Sequence, residues 1–453
     1  MSEFTVLSRL MIGIPGTTVP PYFHELVERG LRSVVIYGEN VESETQLKEF
    51  VREIRNVLGP DSIIAIDEEG GDVTRVDYKQ GSRFVGNSML GQIDDVGLTQ
   101  RDGKLLGQLL ANIGVNLNFA PVADVNINPA NPVIGNRSFG SSKETVARHV
   151  AAFVRGHESA GVGTCLKHFP GHGDVTADSH KSLPVVRGGR PELEAHHLEP
   201  FRVGIQAGAA AVMIGHLDLG DGVPTSLSQE ILDWLRHELE FSGLVVTDAI
   251  DMGAVVNDSS LASATVRALL AGNDLVCMGP STKLEDLAEV ERLWAEIDSK
   301  NLAESEAKSQ ERISNFVSKY SREPAESAVN PQYDLNLVPA GKLDQHRVIR
   351  MESETNLAVG HVPWLPGIAV EETIATHELA MLASKPDKLA IITRGGSEVW
   401  AALERLGVDS LARITLIATQ PPPPSLGVKS FVTYGSASPQ ASAVQAAISR
   451  KEN

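Results

Sequence analysis

Eight short apolar runs recur along the first 280 residues of the chain, at Met11–Gly16, Ser33–Gly38, Ile63–Asp67, Val115–Asp124, Val162–His168, Ala210–His216, Leu244–Asp248 and Asp274–Gly279. Most are rich in Val and Ile and apolar on both faces, the pattern of strands buried in a parallel sheet. Helical patterns lie between them. In Glu44–Leu58, the positions Leu47, Phe50, Val51, Ile54, Val57 and Leu58 share one face at the helical period. Val146, Val150, Phe153 and Val154 are placed similarly in Lys143–Ala160. Leu261–Ala271 runs into Gly272, the residue type that ends a helix in the left-handed region. Strands and helices alternating in this way predict an α/β fold built on a (β/α)8 TIM-like barrel. A doubly wound open sheet shares the local pattern, and eight runs in this length favour the barrel.

Beyond the eighth run, Glu285–Tyr320 reads as one or two long polar helices on the outside of the barrel, giving a catalytic unit over residues 1–320. Residues 321–338, with Pro324, Asn330 and Pro331, read as a linker. A small C-terminal α/β domain is expected over 339–453. There Lys388–Thr393, Ile414–Thr419 and Ser430–Tyr434 are strand-like, Glu398–Leu406 is helical, and Pro421–Pro424 interrupts regular structure.

Composition removes several classes of function. With 42% apolar and 22% charged residues, the 453-residue chain can bury a large core. A net charge of −18 repels phosphate backbones and anionic headgroups, so nucleic acid is not an expected partner. No apolar run approaches the ~18 residues a membrane span requires, and membrane insertion is not expected. Glu3 precedes the first apolar stretch and Arg9 interrupts it, which makes a poor signal peptide and a cytoplasmic location the expectation. Two cysteines, Cys165 and Cys277, exclude a disulfide framework and are expected to stay reduced.

Polar residues gather where the apolar runs end. The third run ends in Asp67-Glu68-Glu69-Gly70-Gly71 and the fourth in Asp124-Val125-Asn126. The fifth ends in Lys167-His168-Phe169-Pro170-Gly171-His172-Gly173, the sixth in His216 and the seventh in Thr247-Asp248. Each alone could simply cap the next helix. Together they mark the rim at the C-terminal ends of the strands, where barrel enzymes carry their chemistry. Glycines and prolines oppose a helix through the fifth loop. His168 and His172, four residues apart, are therefore not a helical metal pair, and no metal or other cofactor is expected. Asp178, two residues before His180, can accept a hydrogen bond from Nδ1–H, fixing the tautomer and leaving Nε2 for proton transfer.

Lys167 to Gly173, four residues, then Asp178-Ser179-His180 resembles the signature of family 3 glycoside hydrolases, in their β-N-acetylglucosaminidase branch. Other segments resemble that family's motifs in the same order: Asp67-x-Glu69-Gly70-Gly71 with Arg75, Asn136-Arg137-Ser138-Phe139-Gly140, Thr247-Asp248-Ala249-Ile250-Asp251-Met252, and Ala271-Gly272-Asn273-Asp274. Asp72 departs from the pattern, since the family often has Arg there. The resemblance implies a retaining exo-β-N-acetylglucosaminidase acting on a carbohydrate with terminal β-linked GlcNAc, from cell-wall-derived or related glycans. Asp248 would be the nucleophile and His180, tuned by Asp178, the acid/base. Asp67, Arg75, Arg137, Lys167 and His168 would bind the sugar. The C-terminal unit is expected to supply no catalytic group, and to act in stability, dimer contact or shaping one wall of the cleft. A neutral imidazole does not repel phosphate as a carboxylate would, so a phosphorylase is the alternative reading. The loop offers no spare cation for phosphate, which favours hydrolysis. A metal-dependent hydrolase and a non-catalytic sugar-binding protein are the remaining rivals. The second would have lost the nucleophile or the Asp–His pair, and both are present.

Overall fold

Each of the eight apolar runs forms a strand: β1 (Leu10–Gly13), β2 (Ser33–Ile36), β3 (Ile63–Ile66), β4 (Leu117–Asn118), β5 (Gly163–Phe169), β6 (Ala211–Ile214), β7 (Leu244–Thr247) and β8 (Val276–Cys277). The structure is a computed structural model that describes residues 5–179, 181–256, 259–298, 302–321, 329–333 and 346–449, the last stretch without 353–357, 361, 364, 366, 367, 369, 386, 396, 407 and 436. The eight strands are ordered β7-β6-β5-β4-β3-β2-β1-β8, and all their pairings are parallel. A bridge between Val246 and Leu275 joins the two ends of that order, so the sheet closes as a barrel.

The strands bury both faces, as their composition requires. Met11, Val35, Ala65, Leu117 and Val246 belong to one apolar cluster. Their neighbours Ile12, Val34, Ile64, Ile66 and Val245 belong to another, shared with the helices. The first cluster is the barrel interior, and the helix Ala303–Tyr320 adds Phe316, Val317 and Tyr320 to it. Gly163 lies so close to this helix that a Cβ there would meet the Phe316 ring at 2.7 Å. The buried thiols of Cys165 and Cys277 are both free.

The fourth strand is shorter than its apolar run. Pro121 has no N–H to pair, and two asparagine side chains take over part of the ladder. Asn116 accepts from the Ile64 N–H at 2.8 Å and donates to the Ser62 carbonyl at 2.9 Å. Asn118 does the same for Glu68, at 3.0 and 2.9 Å. The helices follow the expected periodicities, at Glu44–Leu58, Lys143–Glu158 and Leu261–Ala271, with Gly272 left-handed at the end of the last. Glu285–Tyr320 divides into Leu284–Ala295 and Ala303–Tyr320. Among the described residues no helix is long and apolar enough to cross a membrane.

Most of 321–338 lies outside the described residues. Within it, Val329 and Tyr333 pack on the barrel core, and the Tyr333 hydroxyl donates to Asp102 at 2.7 Å. A second parallel sheet follows, with β9 (Arg347–Met351), β10 (Glu372–Ile374), β11 (Leu389–Thr393), β12 (Ile414–Ala418) and β13 (Lys429–Val432) in the order β10-β9-β11-β12-β13. Apolar residues cover both its faces. The strands β9 and β10 were not expected: arginines punctuate β9, and β10 is a three-residue edge strand with two exposed positions.

At the N-terminal end of the barrel, fully buried Asp274 collects charge. Its carboxylate accepts from Arg236 at 2.5 Å, Arg312 at 2.9 Å, Ser309 at 2.8 Å and the Val245 N–H at 2.8 Å. Arg9 donates to its main-chain carbonyl at 2.8 Å. Removing one member of a buried ion network leaves the others uncompensated. Asp274→Asn is expected to lower unfolding stability by about 3–5 kcal/mol. Urea unfolding followed by tryptophan fluorescence checks this, and an unchanged first midpoint would contradict it.

Candidate active site

The residues proposed from the strand ends converge on one rim. Asp67 follows β3, Arg137 ends the short turn Gly135–Arg137 after β4, Lys167 and His168 lie within β5, and Asp248 follows β7. Glu69 joins three of these elements. Its carboxylate accepts from Arg137 Nε at 3.0 Å and Nη2 at 2.8 Å, and lies 2.6 Å from Lys167 Nζ. Lys167 also donates to Asp67 at 2.7 Å. Arg75 lies 3.9 Å from the other Asp67 oxygen. Lys167, Glu69 and Arg137 are all buried.

The network continues through imidazole. His168 Nδ1 lies 2.7 Å from Asp124 Oδ2. A carboxylate only accepts, so the proton is on Nδ1, and Nε2 accepts from Arg137 Nη2 at 3.4 Å. The same Asp124 accepts from the His172 N–H at 2.7 Å. His172 Nε2 in turn lies 3.2 Å from the Ser179 hydroxyl. A single connected path therefore runs from Asp67 to Ser179, one residue before His180. His180 itself lies outside the described residues. Asp178 is half-buried, and its carbonyl accepts from the N–H groups of Lys181 and Ser182 at 2.9 and 3.1 Å.

Burial alone would push the Glu69 carboxyl up, yet Arg137 and Lys167 hold it at about 2. Burial likewise opposes the charge on Asp124, and His168 outweighs it, leaving that carboxyl below its ordinary value. Lys167 resists its own burial because Asp67 and Glu69 face it, and its pKa is raised. Burial, with His168 adding to it, pushes His172 down to about 4, so this ring is neutral near pH 7.

Asp248 accepts from the Ala249 N–H at 2.7 Å. The Ala249 carbonyl lies 3.0 Å from His216 Nε2, which must therefore be the protonated nitrogen, while Nδ1 accepts from Ser226 at 2.7 Å. Burial is the main reason the thiols of Cys165 and Cys277 are raised, the second to about 12. Asp67 and Asp248 both add to it.

The loop carrying Arg75 is shaped from below and braced from outside. Gly71 has a left-handed φ of +63°, and a Cβ there would meet the Gly86 Cα at 2.4 Å, so only glycine fits. Buried Glu68 accepts from the N–H groups of Arg75 and Val76 at 2.8 and 2.9 Å. From the C-terminal unit, the Ala358 carbonyl accepts from Arg75 Nη2 at 2.9 Å, and Val359 and Val362 pack against Val73 and Tyr78. Asp72 contacts Asn136 at 3.5 Å and offsets the effect of burial on Arg394, the residue after β11.

Sequence reasoning had not singled out Glu69, Asp124, His172, Ser179 or His216 as working residues. All five lay in strand ends or motifs already noted, but nothing local distinguished them from caps. Among the described residues, no group of three or more His, Cys, Asp or Glu side chains could hold a metal ion. The site offers hydrogen-bonding groups of both signs, internally balanced, beside the Asp248 carboxylate. That suits a neutral polyhydroxylated ligand.

The model of the glycosyl hydrolase family 3 N-terminal domain matches residues 23–316. A beta-hexosaminidase A from Pseudoalteromonas piscicida is 32% identical over 372 residues, covering 76% of this chain and 61% of its own. A beta-hexosaminidase from Neisseria meningitidis serogroup C is 36% identical over 268 residues, covering 56% of this chain and 73% of its own. Thus the chain spans less than two thirds of the first relative's length. Among solved structures, a glycoside hydrolase family 3 beta-N-acetylglucosaminidase from Paenibacillus sp. superposes with a TM-score of 0.82 at 27% identity, covering 98% of this chain and 95% of that one. NagZ from Neisseria gonorrhoeae, in complex with N-trifluoroacetyl-D-glucosamine, superposes with a TM-score of 0.58 at 27% identity, covering 69% of this chain and 98% of that one.

Burial, and then the nearby Asp77, push the Glu68 carboxyl up to about 7. In the unfolded chain an ordinary glutamate ionises near ~4.3. Between those values the folded state holds the extra proton, so this group's contribution to stability falls as pH rises and is flat above about 7. Wild type should therefore lose stability relative to Glu68→Gln across that window, by at most about 1.4 kcal/mol per pH unit. Urea midpoints of both proteins through that range provide the check, and a pH-independent difference would contradict it.

Proposed function

This chain belongs to glycosyl hydrolase family 3, and from that premise we propose that it is a retaining exo-β-N-acetylglucosaminidase. The observation that carries the reading is the Asp67–Lys167–Glu69–Arg137 lattice beside Asp248, a preorganised set of donors and acceptors for sugar hydroxyls. The beta-hexosaminidases and beta-N-acetylglucosaminidase among its relatives support it, as does the glucosamine derivative bound by the Neisseria gonorrhoeae protein.

In this reading Asp67, Arg75, Lys167, Arg137 and His168 hold the terminal GlcNAc. Asp248 attacks the anomeric carbon while His180 Nε2 gives its proton to the departing oxygen. Asp178 accepts from Nδ1–H and stabilises the ring in the required tautomer. The glycosyl–Asp248 ester then reacts with water, which surrenders a proton to His180, and the second inversion returns the β-configuration. Lys167 and Arg137 are already engaged by Asp67 and Glu69, which supports water over phosphate as the second nucleophile. Cell-wall-derived or related glycans are the proposed substrates, and the cytoplasm the proposed location. The C-terminal unit supplies no catalytic group and braces Arg75.

Turnover of an aryl β-GlcNAc glycoside should yield the β-anomer as first product by proton NMR, and an α-anomer would overturn the double displacement. Asp248→Ala should abolish turnover. His180→Ala should be far more impaired on unactivated glycosides than on a dinitrophenyl glycoside, whose departure needs no proton. In millimolar phosphate the product should be GlcNAc. Accumulation of GlcNAc-1-phosphate would make the enzyme a phosphorylase.

A further inference from the structure

We propose that His172 and Ser179 form a latch that seats the acid/base loop, making both of them positioning residues for His180. The proposal rests on the reading of His180 as the acid/base and goes beyond it in saying what holds that residue's loop in register with Asp248.

Between Phe169 and Val185 the described chain has no helix or strand. Its place over the barrel is therefore set by individual contacts. Its burial is uneven, and Val175 and Ser179 are the two points of its middle stretch that are each only 2% exposed. Thr176, Lys181 and Ser182 are exposed and Ala177 and Asp178 half-buried, while Ser179 is only 2% exposed. Here the loop dips into the protein, directly beside position 180.

Ser179 is held from two sides. Its hydroxyl meets His172 Nε2 at 3.2 Å. Its carbonyl accepts from the Ala254 N–H at 3.1 Å, in the short helix Gly253–Val256 just beyond the Asp248 segment. One residue thus ties the end of β5 to the end of β7, the two elements that carry the acid and the nucleophile.

The His172 side of the latch is rigid. Its N–H donates to buried Asp124 at 2.7 Å, and its carbonyl accepts from Asn131 at 2.8 Å. Next to it Gly173 packs so tightly that a Cβ would fall 1.8 Å from the Val125 carbonyl oxygen. His172 Nδ1 is buried without a hydrogen-bond partner. The hydrogen bond of its ring is the one between Nε2 and the Ser179 hydroxyl. The ring makes sense as a holder of Ser179 through Nε2.

The latch has a signature that a merely structural contact lacks. If it positions the proton donor, weakening it should mimic partial loss of the donor. A displacement of about 1 Å in a reacting group can change rates by ~100-fold. Ser179→Ala keeps the main-chain bond to Ala254 and removes only the hydroxyl. It should lower kcat/KM on an unactivated methoxyphenyl β-GlcNAc glycoside by about tenfold or more, and on the dinitrophenyl glycoside by less than about threefold. Ser179→Thr, which restores a hydroxyl, should recover most of the loss. His172→Gln should show the same leaving-group dependence as Ser179→Ala, and it tests the latch independently if Ser179→Ala fails to fold. His180→Ala is measured in parallel. If it shows no leaving-group dependence, the acid assignment fails. If it does, and Ser179→Ala and His172→Gln slow both glycosides equally or neither, the latch is overturned and the acid assignment stands.

Discussion

A buried carboxylate between two buried cations sets the geometry of this site. Glu69 is the only group that touches both Lys167 and Arg137 in the described network. Without it, Lys167 would keep only Asp67, and the buried Arg137 guanidinium would lose the carboxylate that it ion-pairs with. With it, the loop after β3, the turn after β4 and the end of β5 are bound to one point. The gain is geometric as much as energetic. The Arg137 guanidinium is planar and binds the carboxylate through two nitrogens, so its orientation is fixed along with its position. A sugar entering such a site meets hydrogen-bonding groups that need no rearrangement.

Much of the fold was legible because the physics that dictates it is local. A strand buried on both faces must be apolar throughout, and all eight such runs became barrel strands. Helix ends signalled by glycine were equally plain, as at Gly272. What escaped depended on partners distant in sequence. The fourth strand ends early because Asn116 and Asn118 pair through side chains with the backbone of 62–68, which no pattern within 115–124 reveals. The strand Arg347–Met351 was hidden by Arg347 and Arg350, which interrupt its apolar pattern. In the site, Asp67, Lys167 and Asp248 stood out because strand ends in a barrel point to one rim. Glu69 and Asp124 did not, since a buried carboxylate looks like an exposed one until its partners are known.

The C-terminal unit also acquires a role that its own sequence did not disclose. Its contacts fall on the loop that carries Arg75. The Ala358 carbonyl receives Arg75, and Val359 and Val362 cover Val73 and Tyr78. The departure at Asp72 has a physical context here. An arginine at that position would face Arg394 from the second sheet, whereas the aspartate offsets the burial of that guanidinium. The charge at position 72 is thus matched to the domain that packs over it.

The same charge balance is consistent with the proposal of His180 as the acid/base. Asp67, Glu69 and Asp124 are paired with Lys167, Arg137 and His168, and Asp248 is the nucleophile in the proposed reading. A second carboxylate close to Asp248 would share a proton with it, because two like charges at short range resist ionising together. An imidazole brings no negative charge, and its ordinary pKa of ~6.5 lets it give and take a proton near neutrality. Three histidines around the site are already engaged: His168 with Asp124, His216 with Ala249, and His172, neutral, with Ser179. In the proposed reading the acid/base is carried on the loop after β5, and Ser179 anchors that loop one residue before it.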